Sequence, residues 1–308
     1  MLDIFKEDEP YEAKMARFRE AATTGDFPSL LREDYKDILL SAYATVPATL
    51  FPLCYKADSN KETETYRGLT DLGPTTAVVP EGGEFPERML SEKSIVTITN
   101  YKYGDIVSYT REMELYNKLA EFKRLTELQG RALADGLEEN IADYIETTTN
   151  TTAYSATVTL NRVNLEAMVM TFKKQTTTDT EGKTIRLGLI PDTLLIPPDL
   201  EMEAQRLLNS ALIPGSANND VNVLKGSLDI VVSHRLSSAS LFYVCKRNWP
   251  NGLTYQKVIG PPPETFVQNV SSAQISDNVF RYDKISYRAD MIYGIGNLDD
   301  KWCIRSTT

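Results

Sequence analysis

The sequence predicts an α+β protein, and three stretches carry that prediction. Residues 111–146 lie inside a proline-free span that runs from Pro86 to Pro191, and good helix formers dominate them. The segment from Leu72 to Thr110 ends in a run of β-branched and aromatic residues, "SIVTITNYKYGDIVSYT", a composition typical of strands. Within "LGLIPDTLLIPPDLEMEAQRLLNS", Leu187 to Ser210, a short apolar run meets two prolines and then a helix with one clean apolar face.

Taken in chain order, residues 3–22 suit a short mixed-charge helix that ends near Gly25. Its faces are not strongly apolar, so it reads as an arm that finds its partner elsewhere. Residues 28–44 are helical again, with Leu30, Leu31, Ile38, Leu39 and Leu40 as the apolar set, and Pro47 and Pro52 bound the next turn.

From Leu72 to Thr110 the chain reads as two extended arms joined at the polar break "PEGGEFPE". Few large apolar residues lie in the first half, so this hairpin cannot bury itself. A two-stranded ribbon is marginal in water unless it lies on something else.

Residues 111–146 follow as one helix, which would reach about 54 Å at about 1.5 Å per residue. Its stripe drifts. Leu115, Leu119 and Phe122 share a face, Leu125, Leu128 and Ala132 sit roughly a quarter turn away, and Leu133, Leu137, Ile141 and Tyr144 return to the first. A coiled coil would hold one seam; a drifting stripe suits a helix that meets different neighbours along its length.

A Thr-rich loop and strand lead to a helix over 162–174, with Val163, Ala167, Met168 and Met170 or Phe172 directed inward. "TTTDTEGK" is a turn. Thr193–Ile196 is a buried strand that Pro197 ends, since proline cannot donate to a ladder. Pro198 fits the first turn of the next helix, where its missing N–H costs nothing. Leu200, Ala204, Leu207, Leu208 and Ala211 form that helix's face. Pro197 and Pro198 are therefore a structural corner. Strands at 228–232 and "SLFYVCK" come next, then a stiff turn "GPPPETF" and a strand-rich end bent at Gly294 and Gly296.

The residues argue against most chemistries. A net charge of −10 does not suit a surface that grips phosphate backbones or anionic membranes. One histidine, His234, excludes two-histidine metal motifs, and it reads as a strand-end residue without a role. Cys54, Cys245 and Cys303 contain no CxxC pair and read as free thiols of a reducing cytoplasm. No secretory signal opens the chain, and no apolar run is long enough to span a bilayer. "GIG" at Gly294–Gly296 lacks the third glycine and the helix of a dinucleotide site. "EGGE", "LEEN" and "LDDK" read as solvated carboxylates. At Pro197-Pro198 an anion would need bare N–H groups but meets prolines and the acidic Asp199, Glu201 and Glu203. No catalytic residue, cofactor site or metal site is assigned.

The order of these elements resembles the major capsid proteins of tailed bacteriophages, the Hong Kong 97-type fold. "VVPEGGEFPERMLSEKSIVTITNYKYGDIVSYTREM" is similar to that family's extended loop and its return into the spine helix. "PDTLLIPPDLEMEAQRLLNS" is similar to the strand and helix of its A domain, and "VNVLKGSLDIVVSHRLSSASLFYVC" to the two strands after them. "YRADMIYGIGNLDDKWCIRST" resembles its closing strand.

The resemblance implies an N-terminal arm over 1–58, an extended loop over 59–110, a P domain over 111–160 with spine helix 111–146 that part of 266–308 completes, and an A domain over 161–265. It implies a structural subunit, not an enzyme. Copies would assemble as pentamers and hexamers into an icosahedral head around double-stranded DNA, with portal, scaffolding and decoration proteins as partners. Assembly would take place in the host cytoplasm, the product would be the virion, and DNA would be enclosed without specific binding. The loop residues Pro80, Glu81, Gly82, Gly83, Glu84, Phe85, Pro86 and Arg88 would touch a neighbouring subunit. Many relatives begin with a cleaved scaffolding segment; here Met1 leads almost directly into the arm, so scaffolding would be separate or absent. Lys93 lies near the loop, but nothing marks a cross-linking partner. The alternative is an encapsulin-like shell of a bacterial compartment, and more distantly an enzyme that works without histidine.

Overall fold

The computed structural model describes residues 27–69, 79–84, 92–110, 112–113, 116, 118–147, 151–178, 183–212, 221–267 and 284–307. The arm helix expected over 3–22 lies outside them, as do Phe85, Pro86 and Arg88. The helices are α1 (Phe27–Thr45), α2 (Leu119–Glu146), α3 (Arg162–Lys173) and α4 (Glu201–Asn209). The strands are β1 (Tyr55–Asp58), β2 (Thr63–Leu69), β3 (Glu92–Thr99), β4 (Tyr101–Thr110), β5 (Thr152–Thr157), β6 (Thr176–Thr178) and β7 (Thr184–Arg186). They continue with β8 (Thr193–Ile196), β9 (Asp229–Val232), β10 (Tyr243–Cys245), β11 (Leu253–Val267), β12 (Lys284–Asn297) and β13 (Cys303–Thr307). The main sheets have the orders β1-β11-β12-β4 and β5-β13-β10-β8-β9, and β2-β3 and β6-β7 form two-stranded ribbons.

The chain divides into two compact units. The first comprises Met1–Pro47, Lys102–Gly136 and Ile259–Ile292. Its core is aromatic. Tyr35 of α1 lies with its ring centroid 4.9 Å from Tyr287 of β12, which is 5.1 Å from Phe122 of α2. Tyr109 of β4 meets Phe122 edge-on at 5.2 Å, a geometry aromatic quadrupoles favour. The Tyr35 hydroxyl donates to Gln129 Oε1 at 2.7 Å, and Gln129 Nε2 donates to the Asp105 carbonyl at 2.7 Å. The buried Tyr35 hydroxyl and Gln129 amide are thereby paired. Gly130 lets α1 come close, because a Cβ there would strike the Leu39 carbonyl oxygen.

The second unit comprises Ala48–Tyr101, Leu137–Val258 and Tyr293–Thr308. The five-stranded sheet lies here, antiparallel at β13-β10 and β10-β8 and parallel at β13-β5 and β8-β9. Leu165, Met168 and Phe172 of α3 and Ala204, Leu207 and Leu208 of α4 cluster with Leu194, Ile196, Phe242 and Val244 of the sheet.

Several local expectations change. The long helix begins at Leu119, not at residue 111. The stretch before it makes a separate turn, in which the Lys118 amide reaches the Met113 carbonyl, and Glu112, Tyr116 and Lys118 are exposed. On α2, Leu125 and Leu128 are exposed while Phe122, Leu133, Leu137 and Ile141 are buried. On α3 the inward face is Leu165, Met168, Val169 and Phe172; Val163 and Met170 are 63% and 52% exposed. "GPPPETF" is not a turn but part of β11, because proline's fixed φ is also that of extended chain. Gly294 and Gly296 are not bends; they lie within β12. A Cβ on Gly294 would come within 2.6 Å of the Thr99 carbonyl oxygen, so glycine serves a close backbone approach.

Candidate assembly surface

The ribbon expected from Leu72 begins earlier, with Thr63 opposite Thr99 and Leu69 opposite Glu92. Residues 101–110 leave it and join the four-stranded sheet as β4. At its base the ribbon is anchored. Ile98 is 2% exposed and lies against Gly296. The Asn100 side chain donates to the Lys61 carbonyl at 2.7 Å, and the Tyr66 hydroxyl donates to Gln256 Oε1 at 2.8 Å. Three residues before Ile98, Ile95 is 59% exposed. Among the described residues no third strand joins the ribbon.

Pro80–Gly83 forms a tight turn, with the Gly83 amide donating to the Pro80 carbonyl at 2.9 Å. Gly82 has φ +76°, the conformation that favours glycine at the third position of such a turn. Pro80, Glu81, Gly82 and Glu84 are exposed and Gly83 is half-buried. The two carboxylates, Glu81 and Glu84, stand in solvent.

The remaining expected positions are scattered. Pro197 is buried and extended, and Pro198 opens a 3-10 turn, Pro198–Leu200, that leads into α4. His234 is exposed on a turn after β9. Cys54, Cys245 and Cys303 are buried free thiols. Among the described residues no three His, Cys, Asp or Glu side chains come together as metal ligands, and no helix is long and apolar enough to cross a membrane.

"LEEN" is not a solvated face. Glu138 is 3% exposed and accepts hydrogen bonds from the Thr49, Leu50 and Phe51 amides and the Thr49 hydroxyl. Spacing could have shown this, since Glu138 shares a helical face with Ile141, Ala142 and Ile145. "LDDK" is also more than solvated, because Asp299 caps the short helix Asp300–Trp302 through the Lys301 amide. A second hub is centred on Asp192. Lys246 Nζ donates to it at 2.8 Å and the Arg247 amide at 2.9 Å, while the Arg247 guanidinium reaches Asp229 at 3.0 Å. Its members lie far apart in the chain, so no local pattern announces it.

These features define a class: a structural subunit with a long helix, an anchored ribbon and an exposed glycine turn at Pro80–Gly83. A family model described as phage capsid protein matches residues 94–306, and the chain belongs to that family. The crystal structure of a virus-like particle from Pyrococcus furiosus is similar at TM-score 0.55 and 9% identity, over 90% of this chain and 99% of that one. The capsid of the cyanophage P-SCSP1u is similar at TM-score 0.55 and 14% identity, over 84% of this chain and 87% of that one. The holo-SrpI encapsulin of Synechococcus elongatus PCC 7942 is similar at TM-score 0.50 and 10% identity, over 86% and 93%. No curated protein sequence matches this one. The fold is the Hong Kong 97-type α+β capsid fold, and the chain is a major capsid protein, a self-assembling shell subunit located in the virion.

Proposed function

We propose that this subunit assembles as hexamers and pentamers into an icosahedral phage head that encloses double-stranded DNA. The observation that carries the reading is the β2-β3 ribbon, anchored at Ile98 and joined by no third strand among the described residues. Its missing partner is a neighbouring copy. Pro80, Glu81, Gly82, Gly83, Glu84, Phe85, Pro86 and Arg88 make that contact, and the Pro197-Pro198 corner stiffens an A domain over 161–265. The arm spans 1–58, the extended loop 59–110, and the P domain 111–160 with part of 266–308. The role is structural, without catalysis. A net charge of −10 suits a wall that holds DNA without binding it tightly. Portal, scaffolding and decoration proteins are the partners, and assembly takes place in the host cytoplasm.

Negative-stain microscopy of the expressed protein tests this reading. Rings of five and six subunits or closed shells are expected, and a chain that stays monomeric under all conditions contradicts it. Nuclease-protected DNA inside native particles separates a phage head from an encapsulin-like compartment, which would hold a cargo enzyme instead.

A further inference from the structure

The register of β13 brings together two thiols that are distant in sequence. Cys245 of β10 lies directly opposite Cys303 of β13. The Lys246 amide donates to the Trp302 carbonyl at 2.8 Å, and the Ser306 amide donates to the Phe242 carbonyl at 2.9 Å. Bonded and non-bonded pairs alternate along an antiparallel ladder. Lys246–Trp302 is a bonded pair, so Cys245–Cys303 is the non-bonded pair beside it. The Cys245 carbonyl agrees, since it accepts from Asp192 on the opposite side. At a non-bonded pair the Cα atoms stand about 4.5 Å apart and both side chains leave the same face. Disulfides span Cα separations of about 4.4–6.8 Å. The two cysteines therefore meet the geometric requirement, at its short end.

We propose that Cys245 and Cys303 are a redox-responsive dithiol that a small-molecule disulfide converts to an intrachain disulfide. One thiolate attacks the reagent's S–S bond and releases one reagent thiol. The second cysteine then attacks the mixed disulfide and releases the other. The protein loses two protons and two electrons, and the reagent takes them up as two thiols. Both cysteines are fully buried, and burial pushes the Cys303 thiol well above its ordinary range. The closed sheet is therefore unreactive, and exchange runs through opening of β13. β13 lies between β5 and β10 in the five-stranded sheet, so the bond ties an inner strand to its neighbour. The bond joins strands that are already neighbours, and the same exchange run backwards by a thiol reductant opens it again.

The test treats the native full-length protein with oxidised glutathione, with and without denaturant just below the unfolding midpoint. The product is denatured, alkylated and measured by intact mass and peptide mapping. One alkylated thiol, Cys54, and a linked Cys245–Cys303 peptide pair are expected, along with a raised unfolding midpoint. Reductant should restore three alkylated thiols. Cys245→Ser and Cys303→Ser should each abolish the linkage and the shift; the wild-type map decides the matter if either variant misfolds. Three alkylated thiols after treatment in denaturant would overturn the proposal. So would a linkage to Cys54, or a stable glutathione adduct on either cysteine.

Discussion

Glu138 Oε2 accepts the Leu50 backbone amide at 2.8 Å, inside a core where both residues are buried. The same carboxylate takes the Phe51 amide at 3.0 Å and the Thr49 hydroxyl at 3.0 Å. Phe51–Leu53 is a short 3-10 helix whose preceding residue, Leu50, has no capping side chain of its own. Glu138 thus performs the capping task from another element. Replacing it by Ala leaves buried N–H donors without partners, at about 1–3 kcal/mol for each such group. Glu138→Ala should lower subunit stability by about 3 kcal/mol. Urea unfolding of the dissociated subunit measures this, and a loss within about 0.5 kcal/mol would show that water replaces the carboxylate.

Two glycines of α2 should respond with opposite signs to the same substitution. Alanine gains about 1 kcal/mol over glycine from helix propensity alone. At Gly136 a Cβ meets nothing within 4 Å, so Gly136→Ala should stabilise. At Gly130 the Cβ strikes the Leu39 carbonyl oxygen, and overpacking costs about 1–3 kcal/mol. Gly130→Ala should therefore destabilise, by about 1 kcal/mol net. Thermal unfolding of both variants checks the pair; equal shifts would mean that α1 can move away without cost.

The sequence and the structure part company where spacing alone decides nothing. On α3 both Val163, Ala167, Met170 and Leu165, Met168, Val169, Phe172 satisfy a helical period. Only the position of the sheet selects the second set. The strand, the two prolines and the helix at Thr193–Asn209 were legible because each signal is local, as was the glycine turn at Pro80–Gly83. β1 pairing with β11, Tyr55 opposite Thr254, was not legible, because nothing in either segment names its partner. Glu138 was read as solvated because a carboxylate is usually exposed, although its place on the apolar face of α2 argued otherwise. The same limit hid Cys245 and Cys303, whose meeting is a property of strand order.

Acid should weaken the five-stranded sheet through Asp192. Partial burial raises this carboxyl, but hydrogen bonds from Lys246, the Arg247 amide and Thr193 outweigh it and hold it below its ordinary value. A carboxyl depressed in the folded state stabilises above its unfolded pKa of about 3.9, and that contribution is lost as pH falls through the folded value. Asp192→Asn should therefore be less stable than wild type near neutral pH, with the gap closing below about pH 4. Urea midpoints at neutral pH and near pH 3 read it out. A gap that does not change with pH would assign the loss to packing rather than to charge.

The ribbon tip should be dispensable for the fold and needed for the shell. Pro80, Glu81, Gly82 and Glu84 are exposed, and the turn's own hydrogen bond, Gly83 to Pro80, ties the tip only to itself. The ribbon's anchors are other residues, Ile98, Asn100 and Tyr66. Deleting Glu81–Pro86 should leave the unfolding midpoint of the dissociated subunit unchanged within about 0.5 kcal/mol, as for other surface changes, while shells become rare or fail to close. Ile98→Ala is the contrasting variant, because it opens a cavity at the base and should cost about 2–5 kcal/mol. Sedimentation and negative-stain microscopy score assembly, and urea unfolding scores the fold. If the tip deletion collapses the isolated subunit, the tip is part of the core and not a contact between copies. If shells form at the wild-type yield, the contact lies elsewhere on the ribbon, with the exposed Ile95 as the next position to test.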